Sequence, residues 1–129
     1  MGDLTEHFSR HELACRCGCG QFNTRGRLLS TLEAIRDGVG KPVCIESGCR
    51  CAQRNADVGG KKDSAHLTGE AADIRAEGFS GPELGIVIKN LHRHGKLPYL
   101  RYCYLIRGRT NTCVHVGVDE KPRRGVFGF

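Results

Sequence analysis

Apolar residues recur at helical spacing in two stretches of the chain. The first is Leu28, Leu29, Leu32, Ile35 and Val39. It predicts a helix over about 25–38, with Thr24 as its cap and Gly38 and Gly40 as its end. The second is Leu84, Val87, Ile88 and Leu91, following Ser80 and Glu83, which pair as a capping box. That helix should run to about His94 and close at Gly95. Ser9 and Glu12 repeat the box ahead of a short helix ending near Cys15. Strand patterns fall at Val43–Ile45, Ala71–Arg75, 100–107 and 112–118, with Gly108 to Asn111 as a hairpin turn between the last two. Residues 15–23 and 47–69 are Gly-rich and polar, and read as irregular loops. A loop as long as the second is usually functional. The expected fold is α+β, a small antiparallel sheet flanked by helices.

At 129 residues the chain is expected to form a single domain spanning 1–129. No apolar run approaches the roughly 20 residues of a membrane span, so no membrane insertion is expected. Residues 1–10 are polar, so no secretory signal is expected either. The net charge of +6 suits an anionic partner. The basic residues are scattered, however, and there are few aromatics and no Trp to stack bases, so no nucleic-acid partner is expected. A monomer is expected. The eight cysteines are Cys15, Cys17, Cys19, Cys44, Cys49, Cys51, Cys103 and Cys113. In the absence of a signal segment, reduced thiols or metal ligands are the default. C-x-C-x-C at 15–19 and C-x-C at 49–51 lack zinc-ribbon spacing. Packed free thiols, a structural metal and a disulfide staple all remain open for them.

The densest polar information is Ser64-Ala65-His66-Leu67-Thr68-Gly69-Glu70-Ala71-Ala72-Asp73. Gly69 lets the backbone turn between His66 in the loop and Asp73 on a strand. His115 lies between Val114 and Val116, so alternation turns it away from the core. If the two strands are neighbours, His66, Asp73 and His115 form a two-imidazole, one-carboxylate set. Such a set suits a catalytic zinc ion, with a fourth position for water. The His-to-Asp spacing alone is a weak signal.

The longer pattern is specific. Ser64-x-His66-x-x-Gly69-x-Ala71-x-Asp73 resembles the signature of the M15 zinc D-Ala-D-Ala peptidases. That group includes phage L-alanyl-D-glutamate endolysins and shares its fold with the hedgehog signalling domain. Flanking segments resemble the family in order: His7-Phe8 with Glu12 and Cys15, Ser47-Gly48-Cys49-Arg50, Asn55 with Gly59-Gly60, and Val114-His115-Val116. The likeness runs from about 4 to 118. It implies a hedgehog/DD-peptidase-like fold and Zn2+ held by His66, Asp73 and His115. It also implies Arg50 as a catalytic and substrate-binding residue, since a fixed bidentate cation suits a substrate carboxylate. Ser64 is expected to support the loop and to contribute to substrate binding.

The sequence departs from the family where a general base is needed. Members place an acid three positions before the last His, here Thr112, or two after it, here Gly117. The next position on that strand face is Asp119, the candidate base, with Glu120, Glu70, His92 and His94 as lesser choices. Cys49 stands where the family has an aromatic before the Arg. Cys113 shares the face of His115 and reads as a packed thiol before a ligand. The expected function is hydrolysis of peptidoglycan stem peptides at the bacterial cell wall, as a D,D-carboxypeptidase or an L-alanyl-D-glutamate endopeptidase in phage or prophage lysis. The alternative is a non-catalytic zinc-containing binding domain of the same fold.

Overall fold

The computed structural model describes residue 2 and residues 4–107, 112–119 and 125–129. Its elements are α1 (Arg10–Leu13), α2 (Gly26–Val39), β1 (Val43–Ser47), α3 (Ala52–Asp57), β2 (Ala71–Ala76), α4 (Gly81–Arg93), β3 (Leu100–Arg107) and β4 (Thr112–Val118). The strands form one antiparallel sheet in the order β1-β2-β4-β3, so the α+β expectation holds. The proposed turn at 108–111 lies outside the described residues.

Alternation divides the sheet into two chemically different faces. Val43, Ile45, Ala72, Ile74, Ala76, Val114, Val116 and Val118 point to one side and pack with Leu28, Leu32 and Ile35 of α2 and Leu84 and Ile88 of α4. Burying a side chain of this size contributes about 1.5–3 kcal/mol, so this layer supplies most of the driving force for folding. Val87 and Leu91 of α4, expected on the buried stripe, are only partly covered. Both capping boxes form: the Ser9 amide donates to Glu12 at 2.9 Å, and the Glu83 amide donates to Ser80 Oγ at 3.1 Å. Among the described residues no helix is long and apolar enough to cross a membrane.

Two local expectations are corrected. The residue before α2 is Arg25, which caps nothing with its side chain. Thr24 instead bonds to the sulfur of Cys49 at 3.0 Å, so the loop takes the hydroxyl that the helix end was expected to use. The 47–69 stretch is not wholly irregular, because it contains the six-residue α3, capped by Cys51. That helix is too short to show apolar periodicity, and only its Asn55 is buried.

Candidate metal centre and substrate cavity

The opposite sheet face carries one polar row across all four strands. Ser47 pairs with Asp73, Asp73 with His115, and His115 with Tyr104. Strand pairing alone therefore brings Asp73 and His115 together, 42 positions apart in sequence. His66 arrives from the loop before β2, delivered by the turn at Gly69. There φ is +73° and a Cβ would collide with the backbone of Asn23 and Thr24, so glycine is required. The turn is braced where the His66 amide donates to Ser64 Oγ at 3.2 Å and the Arg50 amide donates to the His66 carbonyl at 3.0 Å.

One donor atom each from His66, Asp73 and His115 lies within 4.8 Å of the others, and all three residues are buried. The pairs are His115 Nδ1 to Asp73 Oδ1 at 2.8 Å and His66 Nε2 to the same oxygen at 3.3 Å. His66 Nδ1 contacts the Gly48 carbonyl at 2.8 Å. A carbonyl only accepts, so this nitrogen donates to it, and Nε2 is the nitrogen turned toward a carboxylate oxygen. With Nδ1 engaged by the carbonyl, Nε2 is the nitrogen available to ligate a cation shared with that carboxylate oxygen. The carbonyl partner is also the outer hydrogen bond that fixes a metal-ligating histidine. Two imidazoles and a carboxylate suit zinc, and three protein ligands leave a position for water. Burial opposes ionisation of Asp73, but its contacts with His115 and His66 outweigh it and hold the carboxyl well below its usual range.

The rest of the site is a cavity of about 510 Å3 bordered by the three residues and by Arg50, Lys61, Ser64 and Tyr104. Arg50 is held at three points. Nε donates to Ser47 Oγ at 3.2 Å, Nη1 to Asn55 Oδ1 at 3.3 Å, and Nη2 lies 3.5 Å from Asp73 Oδ2. A guanidinium has five N–H donors, so two remain for a ligand. Asn55 is buried and its amide donates to the Lys61 carbonyl at 2.8 Å, so it joins α3 to the cavity loop. At Gly60 a Cβ would collide with Asn55, which explains the glycine there. Tyr104 stacks on His115 with ring centres 4.4 Å apart and 15° between planes, limiting rotation of the imidazole.

The expected base is not brought to this cavity. Asp119 does not border it, and its carboxylate lies 3.6 Å from Arg101 Nη1. Strand alternation was extended one residue past the end of β4, where the pleat no longer directs the side chain. Glu70 is engaged by Arg27 and Thr68, His94 bonds back to Asn90, and Glu120 lies outside the described residues. His92 packs on Phe127. Thr112 packs against Gly81 at the start of α4. A Cβ at Gly117 would meet Tyr102 Cδ2 at 3.0 Å, so that ring fills the space an acid would need. Asp63 is the one described carboxylate besides Asp73 on the cavity wall. Sequence reasoning missed it because an exposed Asp in a polar loop carries no periodic signal. It also missed Tyr104, which the register opposite His115 could have revealed. Cys49 faces the Asn23 amide and the Thr24 hydroxyl rather than the cavity, and burial pushes the Cys113 thiol up to about 11, consistent with a packed thiol.

The family model for peptidase M15 matches residues 6–117. The chain belongs to the peptidase M15 family. A curated relative, the zinc D-Ala-D-Ala carboxypeptidase of Streptomyces albus G, is 41% identical over 51 residues. That match covers 37% of this chain and 20% of the relative, so the chain spans about a fifth of the protein it resembles.

Proposed function

We propose that this protein is a zinc-dependent peptidase of peptidoglycan stem peptides, with His66, Asp73 and His115 as the metal ligands. The observation that carries this reading is the convergence of two imidazole nitrogens on one buried carboxylate oxygen at the head of a cavity containing a tethered arginine. The chemistry that zinc supplies when bound by three protein ligands is activation of water and polarisation of a scissile carbonyl. Arg50 binds a substrate carboxylate or carbonyl through its two remaining N–H groups, and Asn55 and Ser47 keep it from swinging away. Tyr104 fixes the plane of His115. Asp63 takes the place of Asp119 as the residue that holds and releases the proton. Lys61 and Arg50 make the cavity attractive to anions, and the chain's positive charge suits the anionic bacterial cell wall where we place its action. The substrate bond is a D,D-peptide or an L-alanyl-D-glutamate bond, and release of a phage or prophage from its host is the setting that fits such an activity.

A second reading is a zinc-containing binding domain of the same fold. It is favoured by the acids missing at Thr112 and Gly117 and by the engagement of Asp119 with Arg101. Mass spectrometry of purified peptidoglycan digested by zinc-loaded wild type, His66→Ala and Asp63→Asn separates the two. The hydrolase reading expects new termini at one bond type, lost in His66→Ala and strongly reduced in Asp63→Asn. Zinc-loaded, folded wild type that releases no fragment supports the second reading and refutes the first.

A further inference from the structure

The loop between α1 and α2, together with the residue that caps α3, carries a second donor set that the peptidase chemistry does not use. The Sγ atoms of Cys15, Cys17, Cys19 and Cys51 all lie within 4.8 Å of one another. Cys15 to Cys17 is 3.5 Å and Cys17 to Cys51 is 3.6 Å, and all four are free thiols. Four sulfurs about 2.3 Å from a tetrahedral zinc would be separated from one another by roughly 3.8 Å, close to these distances. Backbone amides already point at two of the sulfurs. The Cys51 amide donates to Cys15 Sγ and the Arg54 amide to Cys51 Sγ, each at 3.4 Å. Such N–H···S contacts are the outer support expected of thiolate ligands.

The surroundings explain what an ion there would do. Residues 14–25 contain neither helix nor strand, so few backbone bonds hold them. This loop nevertheless backs the cavity: Gln21 Nε2 donates to the Arg50 carbonyl at 3.1 Å, and Asn23 Nδ2 donates to the Leu67 carbonyl at 2.9 Å. Cys51 is the residue next to Arg50 in the chain. A link between Cys51 and the three loop cysteines would therefore fix the backbone on which Arg50 stands.

We propose that Cys15, Cys17, Cys19 and Cys51 bind a second, structural zinc ion that pins the 14–25 loop behind Arg50. Four protein ligands leave no position for water, which marks a structural rather than a catalytic site. All-sulfur sets hold zinc or iron, and the exposure of Cys17 and Cys19 favours the redox-inert ion. The proposal stands apart from catalysis, because an inactive protein could still carry this ion.

The test compares wild type, His66→Ala/His115→Ala and Cys17→Ser/Cys51→Ser, all purified under reducing conditions, by metal analysis and zinc-edge X-ray absorption. The expected result is two zinc ions per wild-type chain and one in each double variant. In His66→Ala/His115→Ala the remaining ion should have only sulfur neighbours, at about 2.3 Å. Iron in that position, or a folded His66→Ala/His115→Ala protein without zinc, overturns the proposal. Should the cysteine variant fail to fold, alkylation of wild type decides. Zinc-loaded protein should protect the exposed Cys17 and Cys19 while exposed Cys44 reacts, and a chelator should remove that protection. Equal reaction of Cys17, Cys19 and Cys44 with zinc present contradicts it.

Discussion

The histidine–aspartate centre and the cysteine cluster solve the same problem, gathering distant donors, in opposite ways. Asp73 and His115 sit on neighbouring strands, and their pairing register places them side by side before any ion binds. Hydrophobic packing of the other sheet face holds that register, since slipping by one residue would turn Val114 and Val116 outward. The cysteines sit on irregular chain, with three of four in one loop and the fourth next to Arg50. Nothing comparable to a sheet holds them. The fold itself organises the first centre, whereas on our proposal an ion organises the loop around the second.

The largest effects should divide along that line. His66→Ala should lower peptide hydrolysis by at least about 10³-fold, since a metal ion's stabilisation of developing charge is worth several kcal/mol. Circular dichroism of that variant should stay close to wild type, and its melting temperature should fall only by the stabilisation that the bound ion and the His66 contacts supply. Cys17→Ser/Cys51→Ser should do the reverse, with a melting temperature that falls by many degrees and activity that falls only as far as the folded fraction and Arg50 placement require. If both variants keep the wild-type melting temperature, the contrast between the two centres is wrong.

Arg50→Lys should come next. It removes the planar fork gripped by Ser47 and Asn55, and kcat/KM should drop roughly 10–100-fold, the loss expected for one or two charged hydrogen bonds. Zinc content measured in the same preparation should not change. A loss of zinc would make Arg50 part of the metal centre rather than of the substrate cavity.

These expectations also show what the sequence could and could not reveal. The apolar stripes of α2 and α4, the four strands and the outward face of His115 follow from periodicity, because the helical layer enforces it. The convergence of His66, Asp73 and His115 was legible because a motif joined His66 to Asp73 across the Gly69 turn. Asp119, the expected base, does not border the cavity, because alternation has force only within a paired strand and Asp119 lies beyond β4. Short α3 escaped notice because Asn55 is the one residue it buries, for its hydrogen bonds to Arg50 and Lys61 and not for apolar area. The cysteine spacing fits no ribbon pattern, so only the folded loop shows that Cys51 joins Cys15, Cys17 and Cys19.

A smaller effect concerns acid. In metal-free protein the depressed carboxyl of Asp73 stabilises the fold fully above its ordinary value of 3.8, and that contribution is lost as pH falls through the lower folded value. Urea titrations of metal-free wild type and Asp73→Asn should therefore differ near neutrality and converge in acid. A gap that widens below pH 3.8 would mean that the carboxyl is not held ionised. The smallest effect should belong to Asp119→Asn, with less than about a threefold change in hydrolysis rate, because the carboxylate faces Arg101 and not the cavity. A loss approaching that of His66→Ala would restore it as the base.

Anomalous scattering at the zinc edge from crystals of the zinc-loaded protein tests the central claim most directly. The account predicts a peak between His66 Nε2, Asp73 Oδ1 and His115 Nδ1, with no fourth protein atom bound to it. A fully loaded crystal without density there, or with a fourth side chain closing the coordination, would contradict it.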